Sequence, residues 1–199
     1  MALNVDQLNI VYPDWQRSYS FTVETGERLA IKGPSGVGKS TLLLCLAGFI
    51  QPANGTACWH DQDLLTLEPH QRPISMLFQE DNLFEHLSVE RNLKLGLSET
   101  GVAKLGSAVE RLGISDQLSK LPGQLSGGQR QRVGLIRTLL RPEPLIILDE
   151  PFAELDTETR ALALEFSREQ IEAEGKTLVL ITHQDEDIAA LATRTLHLS

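Results

Sequence analysis

The sequence predicts an α/β fold in which helices cover both faces of a mostly parallel sheet. In the last third of the chain, strand-like and helix-like segments alternate, which is typical of doubly wound folds. The apolar run at residues 145–148 has no polar alternation, as expected for a strand that is covered on both faces. A glycine-rich loop at residues 33–40 lies between an apolar strand and a helix, as phosphate-binding loops do.

The first third of the chain is β-rich. Its apolar and β-branched runs are bounded by glycine, proline and acidic turns, which indicates short strands. The helix that follows the glycine-rich loop stops at Gly48, with Pro52 beyond it. The predicted strands are residues 3–11, 18–23, 28–32, 55–60 and 74–78, and the predicted helix is residues 38–47.

The middle of the chain predicts a small helical insert. Ser88 is placed as an N-cap, and a helical pattern runs from it to about residue 121, with breaks at Gly96, Gly101 and Gly113. Ser126 caps a further helix that two prolines terminate. The remaining predicted elements are a strand at residues 145–148, a helix at about 157–173, a strand at 177–182 and a helix at 185–192.

The length of the chain and its sequence pattern predict one domain with two parts. The pattern changes from strand-like to helix-like near Asp81, with no linker or low-complexity tract around it. We therefore expect a core made of residues 1–81 and about 136–199, and a helical subdomain at about residues 82–135.

Composition narrows the function classes. The chain has 199 residues, 41% of them hydrophobic and 23% charged, with a formal net charge of −9. This acidic balance repels nucleic acid and also ATP, so any nucleotide must be held by local donors. No apolar run approaches the roughly 20 residues that span a bilayer, and we expect a cytoplasmic protein. Cys45 and Cys58 lack metal-site spacing and are interpreted as core thiols.

The loop at residues 33–40 matches G-x-x-x-x-G-K-[ST]. Its glycines let the backbone curl around phosphate oxygens, and the helix N-terminus adds partial positive charge. Lys39 would reach the β and γ phosphates, and Ser40 would ligate Mg²⁺. The alternative is a turn that only caps a helix. The predicted nucleotide contacts are Gly33, Pro34, Ser35, Gly36, Val37, Gly38, Lys39 and Ser40.

Four polar residues follow predicted strands, at the sheet edge where open α/β sheets bind ligands. Asp149 suits a magnesium shell, and Glu150 is the candidate that orients or deprotonates the attacking water. Gln79 is placed to meet the metal or the water, and His183 the γ-phosphate. Taken alone, the acidic pair would be a helix cap, and Gln79 a solvated loop residue.

A second glycine-rich turn opens the helix after Ser126 and supplies another set of backbone N–H groups for an anion. One nucleotide cannot touch both turns of one chain if they lie on opposite sides of a subunit. A head-to-tail dimer, in which two chains share each ATP, solves this geometry. The predicted contacts of this turn are Ser126, Gly127, Gly128 and Gln129.

Six segments in this order resemble the nucleotide-binding subunits of ABC transporters. They are Walker A at residues 33–41, the Q-loop at Gln79, the signature motif at 125–129, Walker B at 145–150, the D-loop at 153–156 and the switch residue His183. The resemblance implies a P-loop NTPase (RecA-like) core with an N-terminal antiparallel β-subdomain and a helical signature subdomain. It also implies ATP and Mg²⁺ as cofactors, a homodimer of ATPase subunits, and Thr41 as a nucleotide contact.

Tyr12 falls where this family places an aromatic ring that stacks on adenine, although a tyrosine beside Pro13 also suits plain surface packing. Glu154 departs from the family pattern, which usually has a small or neutral residue there. Apolar side chains after Gln79 offer either a docking groove for a membrane partner or the insert's own core. They lie in the segment Asn82-Leu83-Phe84 and at Leu87.

Residues 46–49, 72–84 and 121–133 bear a closer resemblance to the ATP-binding subunits of bacterial thiamine importers. This implies ATP hydrolysis coupled to thiamine transport, at the cytoplasmic face of the inner membrane. The implied partners are a membrane permease and, indirectly, a periplasmic binding protein, with no nucleic acid. The alternatives are another importer or exporter, or a soluble ABC ATPase of DNA repair or translation. The soluble class usually has tandem cassettes or coiled-coil insertions, which are missing here.

Overall fold

A computed structural model of the protein describes residues 2–80 and 82–199. Met1 and Asp81 lie outside the described residues. The predicted change from a strand-like to a helix-like sequence pattern falls near Asp81, so that point also lies outside them. The strands are β1 (Leu3–Tyr12), β2 (Trp15–Val23), β3 (Arg28–Lys32), β4 (Asn54–Trp59), β5 (Gln62–Asp63), β6 (Ile74–Leu77), β7 (Leu145–Asp149), β8 (Thr177–Ile181) and β9 (Arg194–His197). The helices are α1 (Lys39–Ala47), α2 (Val89–Lys94), α3 (Glu99–Arg111), α4 (Gly127–Leu140), α5 (Thr157–Ala173) and α6 (Asp185–Leu191).

The strands form two sheets. One is antiparallel, in the order β2-β1-β4-β5, and makes up the N-terminal β-subdomain. The other is parallel, in the order β6-β7-β8-β3-β9. Ile181, at the end of β8, pairs with both Asp149 of β7 and Ile31 of β3. The register therefore brings the carboxyl ends of these three strands to one edge of the sheet.

The parallel sheet is covered on both faces, which confirms the interpretation of the apolar run in β7. Ile146 and Leu148 pack into one hydrophobic cluster with residues of α2, α3, α4 and α5. Leu145 and Ile147 point the other way, into a cluster with α1 and the antiparallel sheet. Every residue of β7 and β8 is buried, because each face of these strands meets its own core.

Most predicted elements are confirmed to within one to three residues at their ends, and the helix at 157–173 is confirmed at both ends. The predicted break at Gly101 is wrong, because this residue lies inside α3. A Cβ added at Gly101 would come within 2.5 Å of the carbonyl oxygen of Leu140. The glycine therefore permits close packing of α3 on α4, and it does not interrupt the helix.

The sequence did not predict β5 or β9. The strand β9 carries half-buried and exposed side chains and no apolar run, and its place in the sheet comes from parallel backbone pairing with β3. The helices α2 and α3 pack on α4, as a helical insert would. We therefore propose the division into a core of residues 1–81 and about 136–199 and a helical subdomain at about 82–135, with α4 crossing between them. Among the described residues, no helix is both long and apolar enough to span a membrane.

Candidate active site

The glycine-rich loop leads from β3 into α1. Gly36 and Gly38 have φ angles of 77° and 98°, in the left-handed region that favours glycine. A Cβ at Gly38 would collide with the hydroxyl of Tyr19 and the ring of Trp15, and that hydroxyl donates a hydrogen bond of 2.9 Å to the Gly38 carbonyl oxygen. Within the described residues, no side chain caps α1 and its first turn holds no acidic residue. Its N-terminal N–H groups thus form an anion site.

Lys39 is buried and lies across this loop. Its Nζ donates hydrogen bonds of 2.9 and 3.0 Å to the carbonyl oxygens of Gly33 and Pro34. An ammonium group has three donors, so one remains for a ligand. The loop therefore presents a fixed positive charge beside a helix N-terminus, which is a strong site for phosphate.

A cavity of about 690 Å³ opens beside Lys39. This volume suits a nucleotide-sized ligand. Eleven of the residues that the sequence predicts for the site line it: Tyr12, Ser35, Gly36, Gly38, Lys39, Ser40, Thr41, Gln79, Asp149, Glu150 and His183. Four lining residues were not predicted: Trp15, Ala153, Ile181 and Gln184. Gly33, Pro34 and Val37 belong to the same loop but are not part of the cavity wall.

Two aromatic side chains border this cavity at the antiparallel sheet. Tyr12 is 45% exposed, and its ring centroid lies 6.0 Å from that of Trp15, which pairs with it across the β1–β2 turn. Trp15 was not predicted, because the family resemblance implied one aromatic position, at Tyr12, and no second ring. The close cross-strand pairing at a tight turn is the signal that would have found it.

Asp149 ends β7 and is 3% exposed. Burial raises the pKa of its carboxyl group, while a hydrogen bond with Ser40 and the charge of Lys39 act in the opposite direction. Within the described part of the chain, its buried Oδ1 has no hydrogen-bond partner. A buried oxygen without a partner is costly unless a cation or water satisfies it. The donor set of Asp149, Ser40 and Gln79 is composed of oxygen ligands, which fits Mg²⁺.

Glu150 follows Asp149 with a φ angle of 48°, which is unusual for a residue with a side chain. Its N–H donates a 2.9 Å hydrogen bond to the carbonyl oxygen of Ile181. Its Oε1 lies 3.4 Å from Nε2 of His183, on the loop after β8. Burial raises the pKa of Glu150, and the charge of Asp149 raises it further, whereas His183 opposes the shift. A carboxylate of raised proton affinity is suited to act as a general base.

The raised pKa of Asp149 makes a prediction about stability. A carboxyl group whose pKa is higher in the folded chain stabilises the fold at low pH, and this contribution is lost as the pH rises through the folded pKa. We expect Asp149→Asn to raise the Tm of the nucleotide-free chain at pH 8 and to have little effect near pH 3. Thermal unfolding of both chains across this pH range measures the difference.

Asp156 provides a control of the opposite sign. This residue caps α5, and hydrogen bonds from the backbone and side chain of Thr159 lower its pKa. A carboxyl group with a lowered folded pKa stabilises the fold above that pKa, so Asp156→Asn should lower the Tm at pH 8. If Asp149→Asn also lowers the Tm at pH 8, the contacts of the Asp149 carboxylate with Ser40 and Lys39 outweigh the cost of its burial.

The second glycine-rich turn lies apart from this cavity. Ser126 and Gln129 form a capping box, in which the Ser126 Oγ accepts from the Gln129 N–H at 3.2 Å and the Gln129 Oε1 accepts from the Ser126 N–H at 2.9 Å. Gly127 borders a different cavity of about 300 Å³, and among the described residues the two cavities share only Gln79. Within one chain, none of the described residues 126–129 lines the cavity beside Lys39.

Comparisons with known proteins agree with this geometry. The thiamine import ATP-binding protein ThiQ of Escherichia coli K12 is 42% identical over 98% of this chain and 86% of its own length, and that of strain UTI89 is 43% identical over the same shares. A dimeric post-hydrolysis structure of the ATP-binding cassette MJ0796 with ADP and Pi matches with a TM-score of 0.87, at 25% identity over 99% of this chain and 94% of that one.

A structure of an ATP binding subunit of an ABC transporter matches with a TM-score of 0.89, at 28% identity over all of this chain and 86% of that one. A sequence model of the family described as ABC transporter matches residues 17–153. This match covers most of the chain and includes the glycine-rich loop, the second turn and both carboxylates. The chain belongs to the ABC transporter family.

Proposed function

We propose that the chain is the ATP-hydrolysing subunit of an ABC importer that carries thiamine across the bacterial inner membrane. One observation carries the catalytic part: Lys39, the buried Asp149, the half-buried Glu150 and His183 surround a single nucleotide-sized cavity. Thiamine as the cargo rests on the named relatives, which match nearly the whole chain. Another importer or exporter is the alternative, because an ATPase subunit does not itself contact the cargo.

The binding roles follow from the position of each residue. The loop N–H groups and Lys39 hold the phosphates, and the rings of Tyr12 and Trp15 are placed to stack on the base. The oxygens of Asp149, Ser40 and Gln79 would hold Mg²⁺, which neutralises charge on the β and γ phosphates when it is bound. The unpartnered Oδ1 of Asp149 supports this assignment.

The residues at the strand ends divide the catalytic work. Glu150 accepts the proton of the attacking water, or orients that water, because its side chain is largely buried and its pKa is raised. His183 faces Glu150 at 3.4 Å and lies on the cavity wall, where its ring would contact the γ-phosphate. Gln79 lines both cavities and is placed to sense the occupancy of the nucleotide site.

A second copy of the chain completes the site in this proposal. The turn at residues 126–129 does not line the chain's own nucleotide cavity. Because it begins α4, its first backbone N–H groups suit an anion. Two chains arranged head to tail would place this turn over the ATP of the partner. Closure of the dimer on ATP and its opening after hydrolysis would then drive the permease.

The permease contact is proposed at an apolar groove between the two parts of the fold. Phe49 and Phe84 are 58% and 50% exposed, and both line a cavity of about 220 Å³ together with Phe78. Leu83, in contrast, packs against the helical core. These exposures favour the groove interpretation for Phe84 and the core interpretation for Leu83. Arg137 lies 5.7 Å from the Phe84 ring centroid and keeps this ring in place.

ATP hydrolysis in proteoliposomes tests this function. The chain is reconstituted with its permease and the periplasmic binding protein, and we expect thiamine to stimulate both hydrolysis and its own uptake. Phe84→Glu should abolish the stimulation but keep the basal ATPase rate and the Tm of the free chain, because the side chain is exposed. Val102→Glu is the matched control, since Val102 is 48% exposed on α3 and outside the groove.

The outcomes separate the parts of the proposal. If a different solute stimulates ATP hydrolysis and thiamine does not, the transported molecule is not thiamine, but the assignment as an ATPase stays. If thiamine stimulates ATP hydrolysis by the Phe84→Glu chain as strongly as by wild type, the groove is not the permease contact. If the Phe84→Glu chain does not fold, the Phe84 side chain belongs to the core of the helical insert.

A further inference from the structure

Gln131 joins three functional segments through one side chain. It lies in the second turn of α4 and is only 8% exposed. Its Nε2 donates a 2.9 Å hydrogen bond to the carbonyl oxygen of Glu150. Its Oε1 accepts a 2.8 Å hydrogen bond from the N–H of Glu154, in the loop between β7 and α5. Sequence reasoning did not single it out, because both partners are main-chain atoms some twenty residues away.

The hydrogen bond to Glu150 acts on a strained part of the backbone. Glu150 has a φ angle of 48°, a conformation that a residue with a Cβ adopts only when its surroundings impose it. The N–H of Glu150 is fixed by Ile181 of β8, and the carbonyl oxygen of Glu150 is fixed by Gln131 of α4. The peptide groups on both sides of the Glu150 Cα are therefore held, and these two groups set the direction of its side chain.

The second hydrogen bond extends the same restraint into the following loop. Glu154 ends the turn at residues 151–154, before α5, and its carbonyl oxygen would lie 2.8 Å from a Cβ added at Gly128. The main chain of this loop thus packs closely on the start of α4, and Gln131 ties the two together one turn further along. An amide side chain is the residue type that can donate at one end and accept at the other.

We infer that Gln131 is a positioning residue for hydrolysis: its side-chain amide holds Glu150 in the backbone conformation that directs the carboxylate toward the attacking water. The inference rests on the proposed function, in which Glu150 is the base. Gln131 acts through the main chain of Glu150 and does not contact the nucleotide cavity in the described structure.

Two substitutions separate the roles of the amide. Gln131→Met has a similar length and removes both hydrogen bonds. Gln131→Glu, measured at a pH where the new carboxyl group is ionised, keeps an acceptor for the Glu154 N–H and removes the donor to Glu150. We expect each to lower kcat for ATP hydrolysis at least about tenfold, with the KM for ATP and the ATP-induced shift in Tm unchanged. Ser75→Ala is the matched control, because it removes a buried 2.9 Å hydrogen bond between β6 and α4, to the Thr138 carbonyl oxygen.

A double-mutant cycle with Glu150→Gln identifies the route of the effect. Single-turnover rates are measured for wild type, Glu150→Gln, Gln131→Met and the double variant. If Gln131 acts through Glu150, Gln131→Met has little further effect once Glu150 is replaced. Equal losses in both backgrounds, or an unchanged kcat in Gln131→Met and Gln131→Glu, overturn the inference.

The same cycle distinguishes this inference from the proposed function. A normal rate in Glu150→Gln alone would remove Glu150 as the base, whatever the Gln131 variants show. A strong loss in Glu150→Gln with normal rates in both Gln131 variants would reject only the positioning role. If Gln131→Met does not fold, Gln131→Glu decides between these outcomes, because it keeps the tie to Glu154.

Discussion

Glu150→Gln is expected to lower the rate of ATP hydrolysis by about 10²- to 10⁴-fold, which is the usual contribution of general acid–base catalysis. The amide has nearly the same shape as the carboxylate and preserves the packing beside His183, but it cannot accept a proton. Binding of MgATP should persist, since Lys39 and the loop are untouched. Phosphate release measures the rate, and gel filtration with MgATP should show an accumulated ATP-bound dimer.

The pH profile gives an independent test of the same residue. Burial raises the pKa of Glu150, so the acid limb of kcat/KM should lie at higher pH than for an ordinary glutamate and should vanish in Glu150→Gln. Glu158→Gln is the control, because Glu158 is exposed in the first turn of α5. If Glu150→Gln hydrolyses ATP at the wild-type rate, the base lies elsewhere.

Lys39→Ala is expected to remove the stabilisation that MgATP gives to the fold. A ligand at about 100 times its Kd raises the free energy of unfolding by roughly 2.7 kcal/mol when it binds only the folded chain. The ammonium group of Lys39 lies over the loop that would hold the phosphates, so its loss should remove most of this shift at the same ATP concentration.

Denaturant unfolding with and without MgATP measures the Lys39→Ala effect. Lys104→Ala serves as the control, because Lys104 lies on α3, pairs with Glu174 and does not line the cavity. Lys104→Ala should keep the full ATP-induced stabilisation. An equal stabilisation in Lys39→Ala would place the phosphates outside this loop.

Local signals in the sequence were sufficient for most elements. Asp156 and Gly175 mark the ends of α5, and the helix begins and ends where they indicate. Gly101 misled the prediction because a glycine in a helical pattern signals either a break or a close helix contact, and only the packing against Leu140 decides between them. The strand β9 has no pattern of its own, because backbone pairing with β3 places it in the sheet.

The site was predictable where its chemistry lies in contiguous motifs. The loop at residues 33–40 and the pair Asp149 and Glu150 reach one cavity because parallel strands bring their carboxyl ends together. Gln131 was missed, since its relevance comes from contacts with distant segments. Trp15 and Gln184 were missed although they lie beside the predicted Tyr12 and His183. The roles of the predicted site residues stay predictions that the substitutions above test.

In the proposed dimer, each ATP lies between the loop of one chain and the Ser126 turn of another. Ser35 and Ser126 are both exposed, so one chain carries Ser35→Cys and a second, of different tag length, carries Ser126→Cys. Both also carry Glu150→Gln and Cys58→Ser, while Cys45 stays buried with its thiol pKa raised to about 11. Ser107→Cys on α3 replaces Ser126→Cys in the control.

Disulfide formation between the two chains, followed by gel electrophoresis without reductant, is the most direct measurement. We expect a mixed dimer of Ser35→Cys and Ser126→Cys chains that forms with MgATP and is absent without nucleotide or with the Ser107→Cys control. If ATP-loaded chains yield no such dimer while remaining able to bind ATP, the Ser126 turn does not cover the nucleotide of a partner and the shared site is contradicted.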